Sequence, residues 1–407
     1  MAIEYRHMFV VWSTFIITCF LIANKKQPPI SPIPLMMNHG ERIVLGGKVL
    51  ESISFVNRES ENQLRNVSRC YRQVQIWRGR NIPDAPQTNE CPGLNCGIRL
   101  LKDTSYETMK HSDAIVFYHT SPINWEELQK RRRIHQAWIF FSIEPPPLTK
   151  KSVVPPLELD RIYNFTMSYR PSSSIHSPYG IYTPKSHIKG FKANRNWAKE
   201  KTGLVAWASS RCIGRGLHLQ TWRRREFVET LGKHVSIDVY GNCGNKTCER
   251  HSDKCGSILG SHKFYLALEN SECRDYITEK FWVNALRYNS VPIVYGPPRE
   301  DYERVAPPNS FIHLQDFNNF SELVDYINLL DSTDTLYNTY FKWREKGSIR
   351  FEGEGKVLRP PFYCKMVNTL LENGNFSAEP KVERQHPSIH DFWTKSCIEP
   401  SGFPHDF

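Results

Sequence analysis

The 407 residues contain no internal repeat and no low-complexity tract, which sets aside solenoids and repeat arrays. Zinc-finger spacing, an RNP-like aromatic pattern and a long basic tail are also missing, so no nucleic-acid module accompanies the basic surplus. That surplus is clear: 53 Lys and Arg against 42 Asp and Glu give a formal net charge of +11. It suits an anionic ligand such as an acidic lipid or a nucleotide diphosphate, and nucleic acid is the weaker reading. No Asp-x-Asp pair sits at a candidate strand end, so nothing marks an obligatory metal ion. A hydrophobic content of 40% with 12% aromatics supports packed cores, and the length leaves room for two ordinary domains and a tether.

One uncharged apolar run, Phe9 to Ala23, stands near the start, after Arg6 and His7 and before Lys25 and Lys26. It is short for a plasma-membrane span but fits the thinner bilayers of the early secretory pathway. A cleaved signal peptide is the alternative, weakened by the poor cleavage context Ile22-Ala23-Asn24. The expectation is a type II arrangement: cytoplasmic tail 1–8, signal-anchor 9–23 and a proline-marked stem 24–68. The flanking charge does not fix orientation, but glycosylation and cysteine patterns do. Five sequons, at Asn66, Asn164, Asn245, Asn319 and Asn375, follow the run. Ten of the eleven cysteines do too, an even number suited to disulfides in an oxidising lumen. A zinc site at Cys243, Cys248, Cys255 and His251 is the poorer alternative, for want of paired spacings.

From Cys70 onward the pattern is globular. Segments 74–79, 114–119 and 137–143 read as short buried strands, with a polar-faced helix predicted over 126–136. A second α/β series has strands at 203–209, 235–241, 263–270 and 290–296, and helices at 222–233 and 278–288. Residues 151–202, rich in Pro and Ser, read as an irregular connecting segment.

The densest chemistry lies in Lys263–Gly296. A buried strand delivers Glu269 and Asn270 to its carboxyl end, where ligands sit in open α/β sheets. Thr278 is a candidate N-cap that places Glu279 and Lys280 in a helix's first turn, where amides and a lysine charge favour an anion. Tyr276 adds an aromatic face and a hydroxyl. An ordinary capped helix with a surface Glu-Lys pair explains the pattern equally well on its own.

The wording FYLALENSECRDYITEKFWVNAL, continued by VPIVYGPPREDYERVAPPNSFIHLQDF, resembles the signature of the α1,3/α1,4-fucosyltransferases, glycosyltransferase family 10. Weaker matches, IDVYGNCGN, LVAWASS, NFTMSYR and AWIFFSIE, extend the likeness over most of the chain after about residue 110. The resemblance implies an α/β fold in the GT-B arrangement: an acceptor-side Rossmann-like domain at 69–195, a GDP-fucose-binding domain at 196–355, and a tail, 356–407, packing back on the body. It implies inverting transfer of fucose, with GDP-fucose held by Arg224, Glu269, Asn270, Tyr276, Glu279 and Lys280. The register of the arginine among Arg223, Arg224 and Arg225 stays open, and a solvated helix face is the alternative for that run. The general base implied is Glu144, whose placement after a buried strand would raise a carboxyl's pKa towards a working value. No cofactor is obligatory in this reading, which leaves room for stimulation by manganese. Pro171–Ser174 and Ser210-Arg211 depart from the family wording and bear on acceptor geometry.

The cysteine-rich wording DVYGNCGNKTCERHSDKC resembles the core-type branch of plants and invertebrates, which acts on O3 of the asparagine-linked GlcNAc of N-glycans. Lewis-type fucosylation of antennal LacNAc or LacdiNAc is the alternative, and a non-catalytic, membrane-tethered paralogue is a third. The partners expected are GDP-fucose, an N-glycan acceptor and the Golgi membrane, with the catalytic part lumenal and no nucleic acid.

Overall fold

The computed structural model describes residues 70–77, 87–185, 195–210, 222–249, 252–351, 360–372, 388–398 and 403–404. The apolar run 9–23, the stem and the sequons at Asn66 and Asn375 lie outside them. Among the described residues, no helix is long and apolar enough to cross a membrane.

The first sheet is built from β1 (Cys70–Trp77), β2 (Gln87–Asn89), β3 (Cys96–Asp103), β4 (Ala114–Tyr118), β5 (Ala137–Ser142), β6 (Phe165–Ser168) and β7 (Ile175–His176). Their order is β2-β3-β1-β4-β5-β6-β7, parallel throughout except for β2 against β3. β4 and β5 are buried along their whole length, which explains their unbroken apolar sequences. Alternate residues serve two cores: Ile115, Phe117, Trp138 and Phe140 face one side, Val116, Ile139 and Phe141 the other. Each such side chain contributes roughly 1.5–3 kcal/mol by leaving water. A helix at Pro360–Glu372 covers the second side, presenting Phe362, Met366, Val367 and Leu370. The Cys91–Cys364 disulfide fastens that helix, and Cys70–Cys96 fastens β1 to β3.

A short antiparallel pair, β8 (Gly180–Pro184) with a late strand at Gly347–Phe351, lies outside both main sheets. The second sheet holds β9 (Gly203–Ala208), β10 (Ile237–Tyr240), β11 (His262–Leu268), β12 (Val291–Tyr295) and β13 (Ile312–His313). Its order is β10-β9-β11-β12-β13, all parallel. Helices Arg224–Leu231, Asp253–Gly260 and Arg299–Val305 connect its strands. The protein is thus α/β, with two Rossmann-like, mainly parallel sheets inside one compact unit.

Three expectations need correction. The helix predicted over 126–136 stops at Gln129, because Arg132 turns inward. Its guanidinium lies 4.5 Å over the Trp138 ring and donates to the Ile162 carbonyl (2.9 Å) and Asn164 Oδ1 (2.6 Å). The segment 151–202 is not merely connecting: it supplies β6 and β7 to the first sheet, strands too short to show a period among prolines and serines. The third concerns the helix expected from Thr278. Residues Lys280–Ala285 are wound as a π-helix and Leu286–Tyr288 as a 3-10 turn, ending on a left-handed Asn289 (φ 63°). The wider winding buries the adjacent rings of Phe281 and Trp282 together with Ala285.

Candidate active site

β5 ends against a small knot of hydrogen bonds. Ser142 Oγ donates to the Glu144 carbonyl (2.5 Å) and accepts from the Glu144 amide (3.2 Å), while Tyr179 OH donates to the Ile143 carbonyl (2.6 Å). A 3-10 turn at Pro146–Leu148 follows. Glu144 is therefore fixed at the carboxyl end of a central strand.

On the other sheet, β11 runs out into Glu269. This carboxylate is wholly buried and accepts from the Thr278 amide (2.8 Å), Thr278 Oγ1 (3.0 Å) and Lys280 Nζ (2.8 Å). It closes the polar loop 269–280 like a clasp. Glu269, expected among the donor-site residues, does not itself line the cavity described below; its carboxylate accepts from Lys280, which does. Burial works against the charge of Lys280, but Glu269 and Glu279 outweigh it and keep the ammonium above its ordinary pKa. Burial raises the pKa of Glu269, and Lys280 opposes that rise.

A cavity of about 310 Å³ opens between these strand ends. Glu144 and Tyr179 line it from the first sheet; Arg224, Asn270, Tyr276, Glu279 and Lys280 line it from the second. Six of the seven sequence-predicted catalytic and donor-site residues thus meet in one place, and Glu269 supports them from below. Burial sets one of the three arginines apart. Arg224 is 5% exposed and donates to the Leu268 carbonyl (3.1 Å). Arg223 and Arg225 are about half exposed and pair with Glu226 and Glu229. Asn270 Oδ1 is buried with no hydrogen-bond partner among the described residues.

Sequence reasoning missed Arg287, Asp253, Tyr240 and Tyr288, which also line the cavity. Arg287 lies two turns beyond Lys280, and Tyr240 ends a parallel strand; either position could have been flagged from the pattern. Tyr288 OH donates to Asp253 Oδ1 (2.8 Å), which also pairs with Arg287 (3.3 Å). Of the Pro171–Ser174 departure, Ser173 and Ser174 are structural: Ser173 Oγ meets Ser168 Oγ (2.6 Å), and Ser174 bonds twice to Thr166. The described sequons differ. Asn245 and Asn319 are exposed, whereas Asn164 is half-buried, its Oδ1 accepting from Arg132 and the Trp138 amide. The cysteine cluster is bonded rather than metal-binding: Cys248 joins Cys255, Cys273 joins Cys397, and Cys243 is disulfide-bonded too.

The sequence matches the model described as "Glycosyltransferase family 10 (fucosyltransferase) C-term" over residues 198–385, and "Fucosyltransferase, N-terminal" over 56–180. The chain belongs to glycosyltransferase family 10. Among its family 10 relatives, glycoprotein 3-alpha-L-fucosyltransferase A of Drosophila melanogaster is 34% identical over 341 residues, 82% of this chain and 61% of that protein. Human 3-galactosyl-N-acetylglucosaminide 4-alpha-L-fucosyltransferase FUT3 is 41% identical over 214 residues, 52% of this chain and 54% of that one. Bovine alpha-(1,3)-fucosyltransferase 7 is 34% identical over 288 residues, 68% and 76% respectively. The chain thus spans 61% and 54% of the first two relatives' lengths. A solved α1,3-fucosyltransferase covers 76% of this chain, and 92% of itself, at 15% identity and a TM-score of 0.48, too remote to bear on residue roles.

Proposed function

We propose that this chain transfers L-fucose from GDP-fucose, with inversion, to O3 of a GlcNAc in a glycan. The observation that carries the reading is the meeting in one cavity of a strand-end carboxylate, Glu144, with the cations Arg224 and Lys280. In this reading the diphosphate lies against Arg224 and Lys280, and Asn270 and Glu279 turn towards the fucose. Glu144 takes the proton of the acceptor hydroxyl while that oxygen attacks the anomeric carbon from the face opposite the diphosphate. The bond from the anomeric carbon to the β-phosphate oxygen breaks, GDP leaves with the electron pair, and the two cations stabilise its charge. Fixed cations at the leaving group make a divalent ion dispensable, with room for stimulation by manganese.

The core GlcNAc of N-glycans is the acceptor we favour, because the Drosophila relative, named for action on glycoproteins, aligns over 82% of the chain. A Lewis-type acceptor is the second reading, supported by the 41% identity to the human relative. The rest of the account is likewise proposed: a Golgi-membrane signal-anchor at 9–23, a lumenal catalytic part divided at 69–195 and 196–355, and glycans on the exposed Asn245 and Asn319. The disulfides support an oxidising compartment.

The test is turnover of GDP-fucose with a defined biantennary N-glycan, read by mass spectrometry and linkage analysis, with an EDTA arm. Wild type is expected to form a fucosylated product with or without EDTA, and Glu144→Gln to lose about 10²–10⁴-fold in rate. Equal rates in wild type and Glu144→Gln would sink the assignment of the base; an antennal linkage would replace the acceptor alone.

A further inference from the structure

We infer that a second cavity, beside the one at Glu144, is a subsite for neutral carbohydrate that holds sugars of the acceptor glycan beyond the GlcNAc receiving fucose. This rests on the fucosyl-transfer reading above. The second cavity measures about 320 Å³ and shares no described lining residue with the first. Two chain segments divide them. Tyr179 and Tyr276 line the first cavity, whereas their neighbours Pro178, Gly180, Asp275 and Ile277 line the second. The divider is tied on both sides: Tyr276 OH donates to Glu144 Oε2 (3.0 Å), and Arg170 Nε donates to Asp275 Oδ2 (3.1 Å). Strand order sets the cavities side by side. The first lies at the ends of β5, β9, β10 and β11, where Glu144, Ser209, Gly241 and Asn270 line it. The second takes Tyr169 and Pro171 from the loop after β6, which neighbours β5. It takes Asp301 and Arg304 from the helix after β12, which neighbours β11. Both cavities thus sit at the carboxyl ends of the same two sheets, where ligands of open α/β folds collect. A glycan whose reacting GlcNAc lies at Glu144 extends past the divider into the second cavity.

The lining suits an uncharged ligand. Its carboxylates are already matched by arginines. Asp301 accepts from Arg274 through Nε (3.0 Å) and Nη2 (2.8 Å) and pairs with Arg304 (2.7 Å), while Asp275 pairs with Arg170. Burial lowers the pKa of His176, which keeps its ring neutral at pH 7. Neither a phosphate nor a free cation finds an unmatched charge here. What remains is an aromatic and proline-rich wall with polar groups along one side, the usual make-up of a small-ligand site. Tyr182 gives that wall a fixed ring: its hydroxyl donates to the Lys346 carbonyl (3.2 Å), and it meets the Trp343 ring edge-on. Trp282 closes the floor against Gly180, where any Cβ would run into the indole. A pyranose lays its C–H face on such rings, and its hydroxyls donate to Asp275 and accept from Arg304. The exposed residues Pro171, Pro184 and Arg304 leave the cavity open to solvent, so a chain of sugars can enter. Pro171 also begins the departure from the family wording, which ties the cavity to this chain's own choice of acceptor.

The experiment titrates a biantennary N-glycan into the full-length, GDP-loaded protein by calorimetry, for wild type, Ile181→Trp and Tyr182→Ala, and follows turnover of GDP-fucose in parallel. Ile181 is half-buried in β8, a strand that accommodates an aromatic ring, and the indole would fill the second cavity. Tyr182→Ala removes part of its wall instead. Each variant is expected to raise the Kd and the KM for the glycan about tenfold, while the Kd for GDP stays within about twofold. Turnover in wild type secures the reading beneath, and its absence strikes that reading. Given turnover, an unchanged glycan Kd in both variants overturns the inference alone. So does an equal loss of affinity for a single GlcNAc glycoside, which would place the effect at Glu144.

Discussion

Glu269 illustrates how a single residue's role depends on depth. Its position at the end of β11 is legible from sequence, but nothing in the pattern tells whether its carboxylate faces the cavity or lies under it. Three hydrogen bonds place it underneath. Arg224 shows the same limit in reverse, since three consecutive arginines look alike until one is buried. At this scale the sharpest pH prediction comes from His313, which is buried with both ring nitrogens engaged. Nδ1 accepts from the Gln315 amide (3.2 Å), so Nε2 carries the proton and donates to the Pro297 carbonyl (3.2 Å). Burial lowers its pKa, against smaller opposing pulls from that carbonyl and from Asp316 and Glu300, and with Arg299 adding to the lowering. The unfolded chain then binds a proton that the folded chain refuses, so stability is full above about pH 6.5 and falls as pH drops below it. Thermal melts from pH 7.5 to 5.5 should show this decline, and His313→Gln should flatten it while starting from a lower Tm. An unchanged slope would show that His313 titrates alike in both states.

Elements were legible where burial is two-sided. β4, β5, β9, β12 and the Phe264–Leu268 part of β11 announce themselves as unbroken apolar runs because both faces of a parallel sheet are covered. The strand Cys96–Asp103, half polar, and the four-residue β6 were not legible for the converse reason. The π-wound Lys280–Ala285 reads in sequence as an ordinary helix, since its departure arises from packing two bulky rings side by side. The turn after β12 depends on Gly296, at φ 147°, where a Cβ would meet the Glu269 Cβ at 2.6 Å. Gly296→Ala should therefore cost more than about 2 kcal/mol, by adding backbone strain to an overpacked contact. It should also weaken GDP binding, because Glu269 carries Lys280. Urea unfolding and a GDP titration on the same preparation check both. Loss of stability with untouched GDP affinity would break the proposed link from Gly296 through Glu269 to the cavity.

Over the whole molecule, two parallel sheets bring the carboxyl ends of β5 and β11 together, and the bond between Tyr276 and Glu144 spans them. The two-sheet plan could be read from the family wording, and so could six residues that line the cavity. What could not be read was the way the C-terminal part is bound in. Cys91–Cys364 links sequence positions 273 residues apart, and Cys273–Cys397 ties the loop beside Tyr276 to the last described segments. Spacing alone cannot pair ten cysteines. The most direct test of the account is calorimetric titration of GDP into the full-length protein and into its Arg224→Ala and Arg223→Ala variants. Wild type should bind GDP, Arg223→Ala should match it, and Arg224→Ala should bind at least about tenfold more weakly, a loss of about 1.4 kcal/mol. No affinity in wild type, or equal losses from the buried and the exposed arginine, would contradict it.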